Sequence, residues 1–309
     1  MSAPVSAAAP VGAVVERGVV ALREEVMPGS WLLRLRSPRI ARAGLPGQFV
    51  HVQVGGSTDP LLRRPFSFCD INPAAGTYDI LFNVVGPGTA ILAAAEAGQA
   101  FEALGPLGRP FGFPESGTLV AVAGGLGVAP FPLVARAARE RGLDVVWFNG
   151  AHTANQLLPA AVLPEGVEAR VATDDGSAGH HGFVTELLRA ELPRRAGGVA
   201  MIHACGPTPM LIALAGLLGA LDQEGQAVPP CEMSLEAPMG CALGTCLGCV
   251  VPSTTTASPD ATPGFARVCV EGAVMDWRTI DWPRYQALGE LVHHRVAPVR
   301  PAAGARVGA

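Results

Sequence analysis

Short runs of alternating apolar and polar residues fill the first third of the chain. Residues 14–21, 30–35, 49–54 and 78–85 each read as strands, because alternation sends every second side chain to one face of a pleated ribbon. Turn groups separate them at Pro28-Gly29, Pro46-Gly47, Asp70 to Gly76 and Gly86 to Gly88. Strands this short and this closely spaced predict an antiparallel β-barrel over 14–112. From Thr118 the pattern changes. Leu119-Val120-Ala121-Val122-Ala123 is unbroken apolar sequence, as a strand buried on both faces of a parallel sheet requires. A helix over 131–141, strands over 144–148, 167–172 and 198–204, and a helix near 185–192 follow. Strands alternating with helices predict a doubly wound parallel-sheet domain over 113–224. A helix over 211–221, a strand over 228–235 and a closing strand over 269–275 frame a small cysteine-rich domain, 225–280. Residues 1–13 are expected as a disordered tail and 281–309 as a C-terminal tail. Between barrel and sheet, Gly105-Pro106-Leu107-Gly108-Arg109-Pro110-Phe111 reads as a stiff linker.

Composition narrows the function. At 309 residues the chain has room for two or three cores. A formal charge of −4 and a pI near 6.0 argue against a nucleic-acid partner. All 22 basic residues are arginine, which reads as base composition of the genome. The first thirteen residues lack a basic n-region and make a poor signal peptide. The most apolar later window, 199–221, is broken by His203 and Gly206-Pro207-Thr208-Pro209, so no membrane span is expected. Unpaired thiols fit a cytoplasmic protein.

The candidate chemistry begins with cysteine. Cys241, Cys246, Cys249 and Cys269 form C-x4-C-x2-C-x19-C, interleaved with Gly240, Gly244 and Gly248. This spacing matches plant-type [2Fe–2S] sites, and glycines let backbone N–H groups approach the cluster sulfurs. A structural zinc site is the competitor, although zinc prefers paired knuckles and Cys269 stands alone. Free or disulfide-bonded thiols are the remaining alternative. Cys231 lies outside the pattern and reads as structural. His293-His294 reads as exposed tail, since adjacent residues do not share a helix face.

Two further motif pairs suggest nucleotide cofactors. Arg64-Pro65-Phe66-Ser67 offers a guanidinium for pyrophosphate, an aromatic face and a hydroxyl. By periodicity alone it is an edge strand with a proline. Gly86-Pro87-Gly88-Thr89 opens a short helix whose N–H groups suit phosphate, or is an ordinary glycine turn. Gly124-Gly125-Leu126-Gly127 follows the first parallel strand, with Pro130 where a dinucleotide fingerprint has its last glycine. Cys205-Gly206-Pro207 ends the fourth. Thr173-Asp174-Asp175-Gly176-Ser177 offers acids and no cation, which suits the ribose diol of NAD better than the 2′-phosphate of NADP. The aspartates also suit a plain turn, and Cys205 a plain buried strand end.

Together these motifs resemble the ferredoxin-reductase superfamily. The barrel–dinucleotide–cysteine order, with Ser234-Leu235-Glu236-x-x-Met239-x-Cys241, resembles the electron-transfer subunit of the two-subunit, NAD-dependent dihydroorotate dehydrogenases. The resemblance spans most of 16–280. It implies FAD held by Arg64, Pro65, Phe66, Ser67, Leu81, Phe82, Asn83, Gly88 and Thr89. It implies NAD at Gly124, Gly125, Gly127, Asp174, Cys205, Gly206 and Pro207, and a [2Fe–2S] cluster on the four cysteines. No acid–base catalytic residue is implied. The family usually has arginine where Asn83 stands, so one flavin contact is missing. An FMN-containing dihydroorotate dehydrogenase catalytic subunit is implied as partner, in a heterotetramer. Related subunits serve ferredoxin:NAD(P), hydrogenase and sulfide-oxidising complexes. A zinc-stabilised binding module is the non-enzymatic alternative.

Overall fold

The computed structural model describes residues 12–56, 59–195, 198–255 and 264–293. Six strands close an antiparallel barrel in the order β1-β2-β5-β4-β3-β6. They are β1 (Val14–Met27), β2 (Ser30–Arg36), β3 (Phe49–Val52), β4 (Arg64–Asn72), β5 (Thr77–Asn83) and β6 (Ala100–Leu107). Helices α1 (Pro38–Ala43) and α2 (Pro87–Ala93) lie in the connections. Inward alternation buries Leu33, Leu35, Val50, Val52, Phe68, Tyr78 and Ile80 at 0 % exposure. Each such side chain contributes roughly 1.5–3 kcal/mol of burial.

β1 runs six residues past its expected end. Residues 21–25 are exposed and carry no apolar signal; backbone pairing holds them, with Leu22–Glu25 opposite Arg34–Trp31 of β2. β4 is an interior strand of a closed barrel, not an edge. Yet its first four residues pair only with β3, from Phe49↔Ser67 to Val52↔Arg64. Pairing with β5 starts at Phe68↔Ile80. The barrel therefore splays between 64–67 and 81–83. Pro65, which has no N–H to offer a ladder, sits where one ladder is absent.

The second layer is a seven-stranded sheet, β10-β9-β8-β7-β11-β12-β15. β7 (Thr118–Gly124), β8 (Asp144–Ala151), β9 (Val167–Thr173), β10 (His180–His181), β11 (Val199–Cys205) and β12 (Cys231–Ser234) run parallel. β15 (Val274–Asp276) pairs antiparallel to β12. α3 (Phe131–Glu140) covers one face. α4 (Val184–Arg195) and α5 (Thr208–Gln223) cover the other. Strand order reverses at β7, between β8 and β11, and ligands bind at such switch points beyond the carboxyl ends.

Linker residue Phe111 is buried and stacks on His203, centroids 4.2 Å apart. Gly112 N donates to Glu232 Oε2 of β12 at 2.7 Å, so barrel, sheet and cysteine segment converge there. Burial drives His203 down to about 3, leaving it neutral. Arg136 of α3 pairs with Asp70 of β4 and donates to Ile71 O at 2.6 Å.

β12 and β15, both from the expected third segment, extend the sheet of the second. A hairpin of β13 (Val250–Pro252) and β14 (Phe265–Arg267) lies beside them. The expected closing strand over 269–275 is corrected. Cys269 sits on a one-turn helix, α6 (Val268–Glu271), and only β15 is strand. The expected tail from 281 begins as helix α7 (Trp282–His293). Trp282 Nε1 donates to Trp277 O at 2.7 Å and Tyr285 Oη to Glu236 O at 3.3 Å, fastening it to the body. His294 and residues 1–11 lie outside the described residues. No described helix is long and apolar enough to cross a membrane.

Candidate functional site

The chain from Ser234 to Cys249 leaves β12 and turns tightly on itself. Ala242 and Leu247 both adopt φ +57°, and Gly244 φ +79°. For a residue with a Cβ this conformation costs roughly 1–2 kcal/mol. Each strained residue directly follows a ligand-candidate cysteine, and the twist turns backbone N–H groups inward. Leu243 N and Cys246 N each donate to Cys241 Sγ at 3.4 Å. Burial opposes ionisation of Cys241, but these N–H groups bring it down to about 7. Cys249 Sγ lies 3.2 Å from Cys269 Sγ, too far for a disulfide. The hydrogen bond they share lowers Cys249 to about 6 and raises Cys269. That pair therefore gives up its first proton readily and its second reluctantly.

The four thiols thus form two pairs, 241 with 246 and 249 with 269. Among the described residues, no three His, Cys, Asp or Glu side chains are grouped to hold one metal ion. Two pairs with N–H groups aimed at sulfur fit a two-iron cluster.

A cavity of ≈ 480 Å³ opens beside the splayed strands. Pro65, Phe66, Ser67 and Leu81 wall it from the barrel, Leu126 and Gly127 from the β7 loop, Cys205 and Thr208 from the end of β11. The fourth wall is Ser234 to Met239, which leads without interruption to Cys241. Sequence reasoning missed this wall as a lining element, although its motif was visible. Phe66 is 9 % exposed and packs on Phe82, centroids 5.6 Å apart, in the barrel interior. It borders the cavity as well as the barrel core. Phe82, at 1 % exposure, belongs to the barrel core. Asn83 Oδ1 accepts from Ser30 Oγ at 2.6 Å. Burial pushes the Cys205 thiol up to about 12.

Arg64 and Gly88 meet at the barrel mouth. A Cβ on Gly88 would stand 2.9 Å from Val54 Cγ2 and 3.4 Å from Arg64 Nε. That is a cradle which only glycine leaves open to a phosphate. Thr89 Oγ1 accepts from Val85 N and Gly86 N at 2.9 and 3.2 Å, closing the turn. Arg64 Nη1 donates to Leu62 O at 2.6 Å, which fixes the guanidinium.

A second cavity, ≈ 410 Å³, continues past the β7 loop. Gly124, Gly125, Asp174 and Pro207 line it, with His152, Phe183 and Met210. Asp174 Oδ2 lies 2.5 Å from His152 Nδ1. His152 and Phe183 escaped the sequence reading; the rule that ligands bind beyond strand ends could have found His152, which follows β8. The two glycine motifs touch directly. A Cβ on Gly127 would stand 2.3 Å from Cys205 O and 2.4 Å from Gly206 Cα.

Comparison with known proteins decides the family. The dihydroorotate dehydrogenase B (NAD(+)) electron transfer subunit of Desulforamulus reducens is 37% identical over 258 residues, 82% of this chain and 94% of that protein. The chain belongs to this family of electron transfer subunits. The subunit from Bacillus caldolyticus is likewise 37% identical, over 264 residues, 84% of this chain and 95% of its own length. The family model for the iron-sulfur cluster binding domain of dihydroorotate dehydrogenase B matches residues 236–281, the cysteine turn and α6. Among solved structures, the NADH-dependent reduced ferredoxin-NADP oxidoreductase aligns with TM-score 0.74 and 25% identity, covering 90% of this chain and 94% of that chain. A ferredoxin NADP+ reductase from Neisseria gonorrhoeae aligns with TM-score 0.55 and 18% identity, over 67% of this chain and 91% of that chain. It shares the fold.

Proposed function

We propose that this subunit carries electrons between NAD and a dihydroorotate-oxidising partner. FAD lies in the splayed barrel, and a [2Fe–2S] cluster sits on Cys241, Cys246, Cys249 and Cys269. The supporting observation is the shared wall. Ser234 to Met239 lines the cavity of the barrel and then becomes the cysteine turn, so one stretch of backbone borders both groups. When bound, these groups supply the change from hydride transfer to single-electron transfer.

The chain's own residues place and tune. Arg64, Gly88 and the Thr89 turn receive the pyrophosphate. Pro65, Ser67 and Leu81 border the ring system, and residues 64–67 offer backbone groups that β5 does not use. Gly124, Gly125, Gly127, Gly206 and Pro207 let a dinucleotide approach the strand ends, and Cys205 stays a neutral thiol beside it. His152 holds one oxygen of Asp174 and leaves the other for a ribose hydroxyl. We assign the partner as an FMN-containing catalytic subunit, in a heterotetramer in the cytoplasm. Leu243, Leu247 and Val270 are exposed in the same cysteine segment as exposed Cys246, and we assign them to the face the partner covers.

Purification tests the reading. One FAD, two irons and acid-labile sulfide per chain, with a flavin-containing partner that co-purifies, are expected. Zinc without sulfide would end it. The likeness to the ferredoxin-NADP oxidoreductase supports a second reading, a reductase subunit serving ferredoxin; the co-purifying partner separates the two.

Two substitutions probe the nucleotide sites. Asp174→Ser removes the carboxylate that repels a 2′-phosphate, and the ratio of kcat/KM for NADH over NADPH is expected to fall at least about tenfold. An unchanged ratio contradicts the assignment. Asn83→Arg adds, at the end of β5, the cation that the family usually has there. FAD titration into the apo-protein is expected to give about tenfold tighter binding that weakens as salt rises. Affinity unmoved at low salt places the phosphates elsewhere.

A further inference from the structure

One largely buried ion pair brackets Cys269. Arg267 ends β14 and Glu271 ends α6, four residues apart, with Cys269 between them. Arg267 N donates to Glu271 Oε2 at 2.6 Å, and Arg267 Nε lies 3.1 Å from both carboxylate oxygens. Arg267 Nη2 completes a bidentate contact with Oε1. The carboxylate side chain is 3 % exposed and the guanidinium 20 %. Arg267 Nη1 also reaches Gly244 O at 3.5 Å, in the loop between Cys241 and Cys246. A Cβ on Gly244 would stand 3.3 Å from that nitrogen, so the cation rests on the cysteine loop itself. The carboxylate stands two residues beyond Cys269 on α6, and Cys269 Sγ lies 3.2 Å from Cys249 Sγ.

A pair this buried is an uncertain source of stability, because desolvation offsets the attraction. Its position has a clearer consequence. Reduction of a thiolate-held cluster adds one negative charge and forms no bond. Fixed charges nearby, in a medium that screens poorly, favour or oppose that charge according to sign. We propose that Arg267 and Glu271 are positioning residues that set the potential of the cluster. Arg267 favours the reduced state through the Cys241–Cys246 loop, and Glu271 opposes it through the Cys249–Cys269 pair. The two nearly cancel, which holds the cluster where it can both receive an electron from the flavin and pass one on.

This rests on the four-thiol cluster proposed above. The test is redox titration of the holoprotein with mediators and dithionite, following the EPR signal of the reduced cluster. E271Q, isosteric and neutral, is expected to raise the midpoint. R267Q is expected to lower it. Each shift corresponds to about a tenfold change in the one-electron equilibrium, about 59 mV. The double variant R267Q/E271Q returns close to wild type, and R267K, which keeps the cation, stays there. Shifts of the same sign in both single variants overturn the proposal, since loss of loop order or new solvent access moves both one way. Unmoved potentials overturn it also. Should R267Q fail to retain iron, the direction of the E271Q shift decides alone. Wild-type protein without iron, sulfide or an EPR signal would instead defeat the cluster assignment.

Discussion

Cys249→Ser is expected to cut electron transfer to the partner subunit at least about hundredfold while NADH still reduces the flavin. The two halves of that result come from different parts of the fold. Cys249 is 3 % exposed and its Sγ faces Cys269 at 3.2 Å. Inside that pocket no other thiol can take its place, and a serine hydroxyl remains protonated where a thiolate is required. Losing even an outer-shell partner costs a metal site about 10–100-fold, and a ligand costs more. The NAD and flavin cavities draw nothing from Cys249, so NADH oxidation with a dye that accepts directly from flavin is expected within about twofold of wild type. Iron and sulfide content, the EPR signal, and the two assays measured side by side check this. Full iron content with normal transfer to the partner would mean that Cys249 is no ligand.

Much of the architecture was legible because it rests on periodicity. Alternation marked β1, β2, β3 and β5, and the unbroken run 119–123 marked the buried centre of the sheet; β6 escaped, and its end at 105–107, read as linker, is strand. Legibility stopped where backbone pairing or local electrostatics replaced side-chain pattern. Residues 21–25 of β1 are exposed on both faces and held by hydrogen bonds to β2. Cys269 reads as strand from its valine neighbours, but the Arg267–Glu271 contact closes one helical turn around it. Helix α7 was hidden because Pro283 and Arg284, which read as tail, lie in its first turn.

The candidate site divides in the same way. Cysteine spacing is one-dimensional information and survives in the sequence. The left-handed turns at Ala242 and Leu247 do not, since nothing in either residue type asks for φ +57°; the need for N–H groups at sulfur imposes it. Phe82 sits in the barrel core, whereas Phe66, from the inward phase of its strand, borders both that core and the cavity. His152 and Phe183 come from loops with no motif at all, brought to Asp174 only when the sheet forms.

The sharpest consequence of that assembly falls on Gly127. The glycine run after β7 reads as phosphate-binding, but the structure gives its last member a second task. Cys205 O, Cys205 C and Gly206 Cα stand 2.3–2.4 Å from where its Cβ would lie. All three are backbone and cannot turn aside. Gly127→Ala must push the β7 loop off the end of β11, at the joint between the two cavities. Overpacking of this kind costs about 1–3 kcal/mol or more, and a joint opened by about 1 Å misplaces the nicotinamide against the flavin. Urea unfolding of the FAD-loaded protein is expected to show that loss, and NADH titration at least about tenfold weaker binding. Gly124 makes the contrast, because its tightest neighbour is Met210 Sδ at 2.5 Å, the far part of a flexible side chain. Gly219→Ala in α5 supplies the opposite sign. Nothing lies within 4 Å of that position, so the helix gains about 0.8–1.0 kcal/mol. Gly127→Ala that matches wild type in both assays would show that the two motifs merely lie near each other. A loss in NADH binding alone, with stability kept, would place the whole effect on the loop's approach to phosphate.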